Sequence, residues 1–338
     1  MDCTIIIPVI RINKLLVDVV NRCFLFHKFI KINVVYNSFI ENTLMPKKVN
    51  LIQTNEINIS SKRNIGVKKA KTKYIAFLDS DAYPEKNWFK NAQQILENDL
   101  SIGIVTGPEL SFPKQSLFEN IVGLCNRSYF ITGGHNFRKA KNKSRFYSEA
   151  SGCNIIMRKK DFESLNGMNP NIYLGEDREF SHRMITNLGK KIYFSKNVLI
   201  FHKDRGLRGF IIQRYARGFA SSDFFLKIKT LFKNLTIKNI LEQRFETFIP
   251  LGFTLFLCSF PICLISDFWQ IIFNTIMKTY LIIILLETFK LTFKKIYFFP
   301  FVYLFLILGT VIPGIAQLLR ILKIKIKIQN FYRNTNDL

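Results

Sequence analysis

Over the first 205 residues, apolar positions fall into short blocks separated by polar stretches, and each block has the length of one strand. Residues 4–9 (TIIIPV) form a continuous apolar run interrupted only by Pro8, the pattern of a strand buried on both faces. Residues 32–36, 49–54, 74–78 and 102–106 are further short strand-like runs. Between these blocks the period changes. Residues 60–70 open on cap-type serines and keep Ile65 and Lys69 on helical spacing, while residues 87–98 set Trp88, Phe89, Ala92, Ile95 and Leu96 on one helical face. Strands alternating with helices predict an α/β domain with a mainly parallel sheet, whose ligands sit at the carboxyl ends of the strands. Motifs that follow a strand directly are therefore the site candidates.

Past Arg205 the pattern is different. Arg208, Arg214, Arg217, Lys227, Lys229 and Lys233 interleave with Phe210, Ile211, Tyr215, Phe219, Phe224, Phe225, Leu231 and Phe232, as in basic amphipathic helices at a membrane interface. A solvated basic helix packed on the domain has the same pattern. Three apolar segments follow, at about 248–265, 268–286 and 296–319. The first carries no charge over 18 residues, the second is interrupted by Asn274 and Lys278, and the third holds Pro300, Gly309, Pro313 and Gly314. Lys294 and Lys295 precede the third segment, and Arg320, Lys323, Lys325 and Lys327 follow it, so charge bias gives no consistent orientation for three simple spans. A third segment that re-enters the membrane or lies in its plane resolves the conflict.

Charge narrows the class. With 49 Lys and Arg against 24 Asp and Glu, the net charge is +25, and a hydrophobic content of 48% with mean hydropathy +0.12 excludes a disordered basic tail. Such a chain has three kinds of partner: nucleic acid, an anionic membrane, or phosphate-bearing small molecules. The six cysteines form no C-x-x-C pair, which argues against a disulfide framework or zinc knuckle and fits a reducing compartment. The N-terminus lacks the basic region of a secretory signal, so the front of the chain is expected in the cytoplasm.

Three places carry candidate chemistry. Asp79 and Asp81, in D-x-D spacing after the apolar block 74–78, are able to converge on one hard divalent cation and bring it to a diphosphate. Glu176 and Asp177 open a helical pattern continued by Phe180, Met184, Ile185 and Leu188; either is a general base toward a hydroxyl, or an ordinary first-turn acid. His202 follows the apolar residues 198–200, where it is a structural histidine or the completion of a metal site begun by Asp81.

Taken together, TIIIPV at Thr4, SSKRNIGVKKAKTKYIAFLDSDAYPEKNW at 60–88 and SGCNIIMRKKDFESLNGMNPNIYLGEDREFSHRM at 151–184 resemble, in order and spacing, the signature blocks of family 2 glycosyltransferases of the GT-A fold. The resemblance spans about the first 205 residues. It implies inverting transfer of a sugar from a nucleotide diphosphate sugar to an acceptor. Arg63 and Asn64 then stand at the nucleotide and Asp79 at ribose or base. Asp81 stands at a Mg²⁺ or Mn²⁺ ion on the diphosphate, and His202 joins the metal shell. Asp177 stands as the base, Glu176 beside it orients the acceptor, and Gly152, Cys153 and Asn154 line the acceptor side. The family's base-reading Asp is replaced here by Tyr36-Asn37-Ser38, which leaves Asn37 as the candidate. Gln213-Arg214-Tyr215-Ala216-Arg217-Gly218 is similar to the Q-x-x-R-W motif of processive synthases but has the wrong spacing and no Trp, which disfavours polymerisation. Arg214 and Arg217 remain as residues for the diphosphate, for lipid headgroups, or for the interface alone.

The expected organisation is a GT-A catalytic domain over 1–205, basic amphipathic interfacial helices over 206–247, hydrophobic membrane segments over 248–322 and a basic tail over 323–338. The expected function is sugar transfer to a lipid-linked saccharide in cell-surface glycan synthesis, at a cell membrane, with no nucleic-acid partner. Two rivals remain: a polyprenyl-phosphate sugar synthase, and a non-catalytic protein binding membrane surface or nucleic acid.

Overall fold

The computed structural model describes residues 2–39, 44–172, 175–231 and 245–324. Leu174 of the acidic motif, part of the expected interfacial helices (232–244) and most of the expected basic tail (325–338) lie outside the described residues. The chain forms two compact units. Met1–Pro113 and Phe137–Lys203 make the first; Lys114–Asn136 groups with the chain from Asp204 onward in the second.

The first unit is an α/β domain on a mainly parallel sheet, as the GT-A resemblance implies. An eight-stranded sheet runs in the order β10-β12-β8-β11-β6-β1-β3-β5, with β1 Cys3–Pro8, β3 Lys31–Tyr36, β5 Val49–Gln53, β6 Tyr74–Phe77, β8 Ile102–Thr106, β10 Arg145–Tyr147, β11 Ile155–Arg158 and β12 Lys191–Phe194. Pairings β5–β3, β3–β1, β1–β6 and β8–β12 are parallel, whereas β11 runs antiparallel between β6 and β8, and β10 antiparallel at the edge. The continuous apolar run of β1 follows from its place inside the sheet. Cys3, Ile5 and Ile7 meet α1 (Lys14–Phe26) and α3 (Trp88–Asn98) on one face, and Ile6 meets α2 (Ile59–Lys68), α6 (Lys159–Ser164) and α7 (Glu176–Thr186) on the other. Each such isoleucine contributes roughly 1.5–3 kcal/mol through burial.

Five short strands matter for position. β2 (Arg11–Ile12) pairs with β4 (Ser38–Phe39), and a three-stranded sheet runs β7 (Ala82–Pro84), β13 (Ile200–His202), β9 (Glu109–Ser111). The sequence pattern set a strand at residues 198–200, but the ladder begins at Ile200, because the partners that fix it are Pro84 and Glu109.

The second unit is helical: α4 (Leu117–Cys125), α5 (Tyr129–Thr132), α8 (Leu207–Leu231) and the helices Ile249–Cys258, Asp267–Thr292 and Phe299–Ile321. Its apolar segments depart from expectation. The uncharged run 248–265 is broken after Cys258, before Phe260–Leu264, because Pro261 has no amide hydrogen and disfavours helix at the residue before it. Among the described residues, the two helices long and apolar enough to cross a membrane are those of the second and third segments. In α8 the expected interfacial pattern is only partly present. Phe210 is buried against Phe305, and Arg214 is buried with its guanidinium donating to the carbonyls of Gly309 and Ile131, so Arg214 is neither a headgroup contact nor a plain surface arginine.

Candidate active site

β6 ends at Phe77, and the chain leaves the carboxyl edge of the sheet through Asp79 and Asp81 into β7. β13 lies antiparallel to β7 with His202 opposite Ala82, and the Lys203 amide donates to the Asp81 carbonyl at 2.9 Å. This pairing brings His202 Nε2 to 3.4 Å from Asp81 Oδ1 and 3.8 Å from Asp79 Oδ2. The other ring nitrogen, Nδ1, lies 2.8 Å from the Lys203 carbonyl. A carbonyl only accepts, so Nδ1 carries the hydrogen and Nε2 faces two carboxylates. Such an arrangement needs positive charge at its centre, either a second ring proton or a metal cation. Burial works to lower the His202 pKa, but the Asp81 and Asp79 carboxylates overcome it and raise the group to about 9. Asp79 is held low by His202 and Arg63 against the opposing effect of burial. Two carboxylates and an imidazole anchored through its far N–H form a donor set that fits a divalent cation.

On the other side, α2 and α7 deliver Arg63, Glu176 and Asp177. Asn58 caps α2 by accepting from Ser60 and Ser61, and this cap starts the helix that buries Arg63 to 1% exposure. Both terminal nitrogens of the guanidinium are engaged, whereas Nε is buried without a hydrogen bond: Nη1 donates to Glu176 Oε1 at 2.9 Å, Nη2 donates to the Gly152 carbonyl at 2.9 Å and lies 3.5 Å from Asp79 Oδ1. The Gly152 amide in turn donates to Asp177 Oδ2 at 3.0 Å. A Cβ at Gly152 would stand 2.9 Å from Arg63 Nη2, so the close approach requires glycine. Gly175, at φ 83°, turns the chain into α7 in a left-handed conformation and sets both acids in the first helical turn, where the N-terminal dipole favours negative charge. Burial and the neighbouring Asp177 carboxylate push Glu176 up to about 7, against the pull of Arg63.

The remaining sequence candidates are placed as follows. Cys153, expected on the acceptor side, presents Sγ toward Asp79 and His202; the three ligand atoms lie within 4.8 Å of one another. Asn154 is buried, accepting from Trp88 Nε1 at 2.8 Å and donating to the Val198 carbonyl at 2.9 Å, so its amide is engaged inside the unit. Asn64, expected at the nucleotide, exchanges two hydrogen bonds with the Met168 backbone. Asn37 donates to the carbonyls of Thr54 and Glu56, and its Oδ1 accepts from Lys62 Nζ at 2.7 Å.

Lys62 is a residue the pattern did not single out. It is almost fully buried, its Nζ also donates to the Val9 carbonyl at 2.6 Å, and burial lowers its pKa to about 8. Glu109 is the second such residue. Its Oε2 pairs with Lys139 at 3.1 Å, and although burial acts to raise its pKa, Lys139 and Arg138 hold it at about 2. Glu109 Oε1 is buried without a hydrogen bond. No spacing rule marks either residue, since their partners are distant in sequence.

Residues 36–165 match the family model described as glycosyl transferase family 2, and residues 133–203 match that described as the N-terminal domain of galactosyltransferase. No curated protein matches the chain. Among solved structures, the chain is similar to residues 1–349 of TarS from S. aureus, with a TM-score of 0.50 and 11% identity over 96% of this chain and 92% of that one. It is also similar to GalNAc-T7, crystallised with UDP, GalNAc and Mn²⁺, with a TM-score of 0.47 and 15% identity over 61% of this chain. It spans 44% of the GalNAc-T7 chain. At these identities the likeness is one of fold.

Proposed function

We propose that this chain, a glycosyltransferase of family 2, moves a sugar from a nucleoside diphosphate sugar to a hydroxyl of a lipid-linked saccharide, with inversion at the anomeric carbon. The observation that carries the reading is a single connected constellation. It runs from Asp81 through His202 and Asp79 to Arg63, and through Gly152 to Asp177.

Asp81, Asp79 and His202 would hold the divalent cation, which when bound neutralises the charge that grows on the departing diphosphate. The imidazole makes this set a better partner for Mn²⁺ than for Mg²⁺, which prefers oxygen. Asp177 takes the proton of the acceptor hydroxyl as that oxygen attacks from the face opposite the leaving group. Its carboxylate is oriented for this by the amides of Gly152 and Arg178. Glu176 acts one step back: it holds Arg63, which holds the Gly152 carbonyl. Lys62 of α2, whose Nζ reaches the Val9 carbonyl just after β1, and Asn37, just after β3, are the proposed nucleobase side.

The lipid-linked acceptor and the cell-membrane location rest on the second unit. In the helix Asp267–Thr292 only 17% of the most apolar stretch is buried, and Phe268, Ile271 and Leu286 are exposed. Two spans would return the chain to the side it came from, which is taken as the cytoplasm.

The test is nucleoside diphosphate release by the detergent-purified chain, across a panel of nucleotide sugars with Mn²⁺ or Mg²⁺ and a lipid extract. Metal-dependent release that needs Asp81 and Asp177 is expected. Folded protein that binds no nucleotide and stays silent across the panel would overturn the reading, and equal rates on a water-soluble saccharide would overturn its lipid part.

A further inference from the structure

Cys153 is held more firmly than a loop thiol usually is. The residue before it, Gly152, is fixed through its carbonyl by Arg63 and through its amide by Asp177; the residue after it, Asn154, is fixed by Trp88 and the Val198 carbonyl. The thiol between them is almost fully buried, with Ser151 Oγ at 3.4 Å as its polar neighbour. It points into the group already described: Sγ, a carboxylate oxygen of Asp79 and a ring nitrogen of His202 all lie within 4.8 Å of one another. Behind them, Glu109 sits on β9, directly paired with β13, and keeps one buried oxygen without any hydrogen bond.

We propose that Asp79, Cys153 and His202, backed by Glu109, form a site for a thiophilic divalent cation such as Zn²⁺ or Cd²⁺, whose occupancy excludes the cation needed for transfer. The exclusion half of this proposal rests on the transferase reading; the binding half does not. Sulfur adds little for Mg²⁺ or Mn²⁺, which are satisfied by oxygen, but it is a preferred ligand of Zn²⁺ alongside imidazole and carboxylate. Zinc bonds of about 2.0–2.3 Å place tetrahedral ligands roughly 3.5 Å apart, so the three atoms close by about 1 Å on binding. Asp79, whose side chain is 34% exposed, provides most of that movement, and His202, at 18%, the rest. Binding replaces the Sγ–H bond of Cys153 and the Nε2–H bond of His202 with bonds to the metal, and releases both protons to solvent. Because Asp79 and His202 are shared with the proposed catalytic cation, the two ions compete instead of sitting side by side.

The experiment uses the full chain in detergent, carrying Cys258→Ser and Cys263→Ser, since these are the thiols that are not buried. Cd²⁺ is added while the thiolate-to-cadmium charge-transfer band is followed in the ultraviolet, and bound Mn²⁺ is followed by electron paramagnetic resonance. The expected result is a one-to-one band that appears as Mn²⁺ is released. Cys153→Ser is expected to abolish the band and weaken Cd²⁺ binding at least about tenfold, with Mn²⁺ still bound. An undiminished band in Cys153→Ser, or no band in the parent, overturns the proposal. If the variant does not fold, the competition in the parent decides: Cd²⁺ that binds without displacing Mn²⁺ overturns it. Nucleoside diphosphate release is measured on the same preparation. Release without a cadmium band defeats this proposal alone, and a band without release leaves the site standing while the transferase reading fails.

Discussion

Arg63 and Glu176 are separated by 113 positions in the sequence, yet they meet at 2.9 Å, the arginine almost fully buried and the glutamate nearly so. The pair joins α2 to α7 and fixes the loop that carries Gly152. Removing one member leaves the other charge buried, which typically costs about 3–5 kcal/mol, whereas an exposed pair of this kind would contribute little. Glu176→Gln keeps one hydrogen bond and is expected to be milder than Glu176→Ala, both judged by thermal melting.

The same pair predicts opposite trends of stability and activity with pH. The Glu176 pKa is raised from 4.5 to about 7 in the fold. A raised carboxylate pKa contributes stability that is complete below the unfolded value and is lost as pH rises through about 7. The ionised form, however, is the one that clamps Arg63, so kcat/KM is expected to rise across that same interval. Melting temperatures and rates between pH 5 and 8 check both trends, and Glu176→Gln should flatten the step in each.

Asp177→Asn removes the proposed base while retaining its shape. A loss of about 10²–10⁴-fold in transfer to a hydroxyl acceptor is expected, with nucleotide sugar binding intact by calorimetry. Retention of most activity would indicate an acceptor that is already an anion, as a polyprenyl phosphate is.

His202→Ala is expected to weaken Mn²⁺ binding about 10–100-fold, and Asp81→Asn more, as followed by paramagnetic resonance titration. Because His202 is held at about 9 without metal, Mn²⁺ binding at neutral pH should release a proton, and Asp81→Ala, which removes the first cause of that elevation, should reduce the release.

Gly152→Ala introduces a Cβ at 2.9 Å from Arg63 Nη2. The guanidinium has no slack, being bonded to Glu176 and to the Gly152 carbonyl itself. A destabilisation of about 1–3 kcal/mol is expected by denaturant unfolding, accompanied by a lower kcat.

The α/β unit was largely legible because its strands are buried on both faces and its helices are not, so Ile5, Ile6 and Ile7 sit in one unbroken run while Trp88, Phe89, Ala92 and Leu96 follow the helical period. Strand direction was not legible: Ile155–Arg158 reads the same whether it runs with β6 or against it. The D-x-D pair, the acids of α7 and His202 were visible as types in a pattern. Their partners were not, since Glu109, Lys139 and Lys62 act through contacts 25 or more positions apart. Asn64 and Asn154 show the converse: a residue inside a signature block serves the scaffold when both ends of its amide are already bonded. In the helical unit, the uncharged segment 248–265 is just long enough by count to span a membrane, and one proline outweighed the count.

The pairing of β7 with β13 also has a bearing on the order of assembly. The strand that bears His202 is laid down 118 residues after that of Ala82, and no other described element brings the ring to Asp81. The proposed cation pocket therefore cannot form on a nascent chain until nearly all of the α/β unit has left the ribosome, and contacts of such long range are the slow ones to form. A newly made chain would hold its sheet before it could hold metal, which makes metal affinity a reporter of the last step of folding.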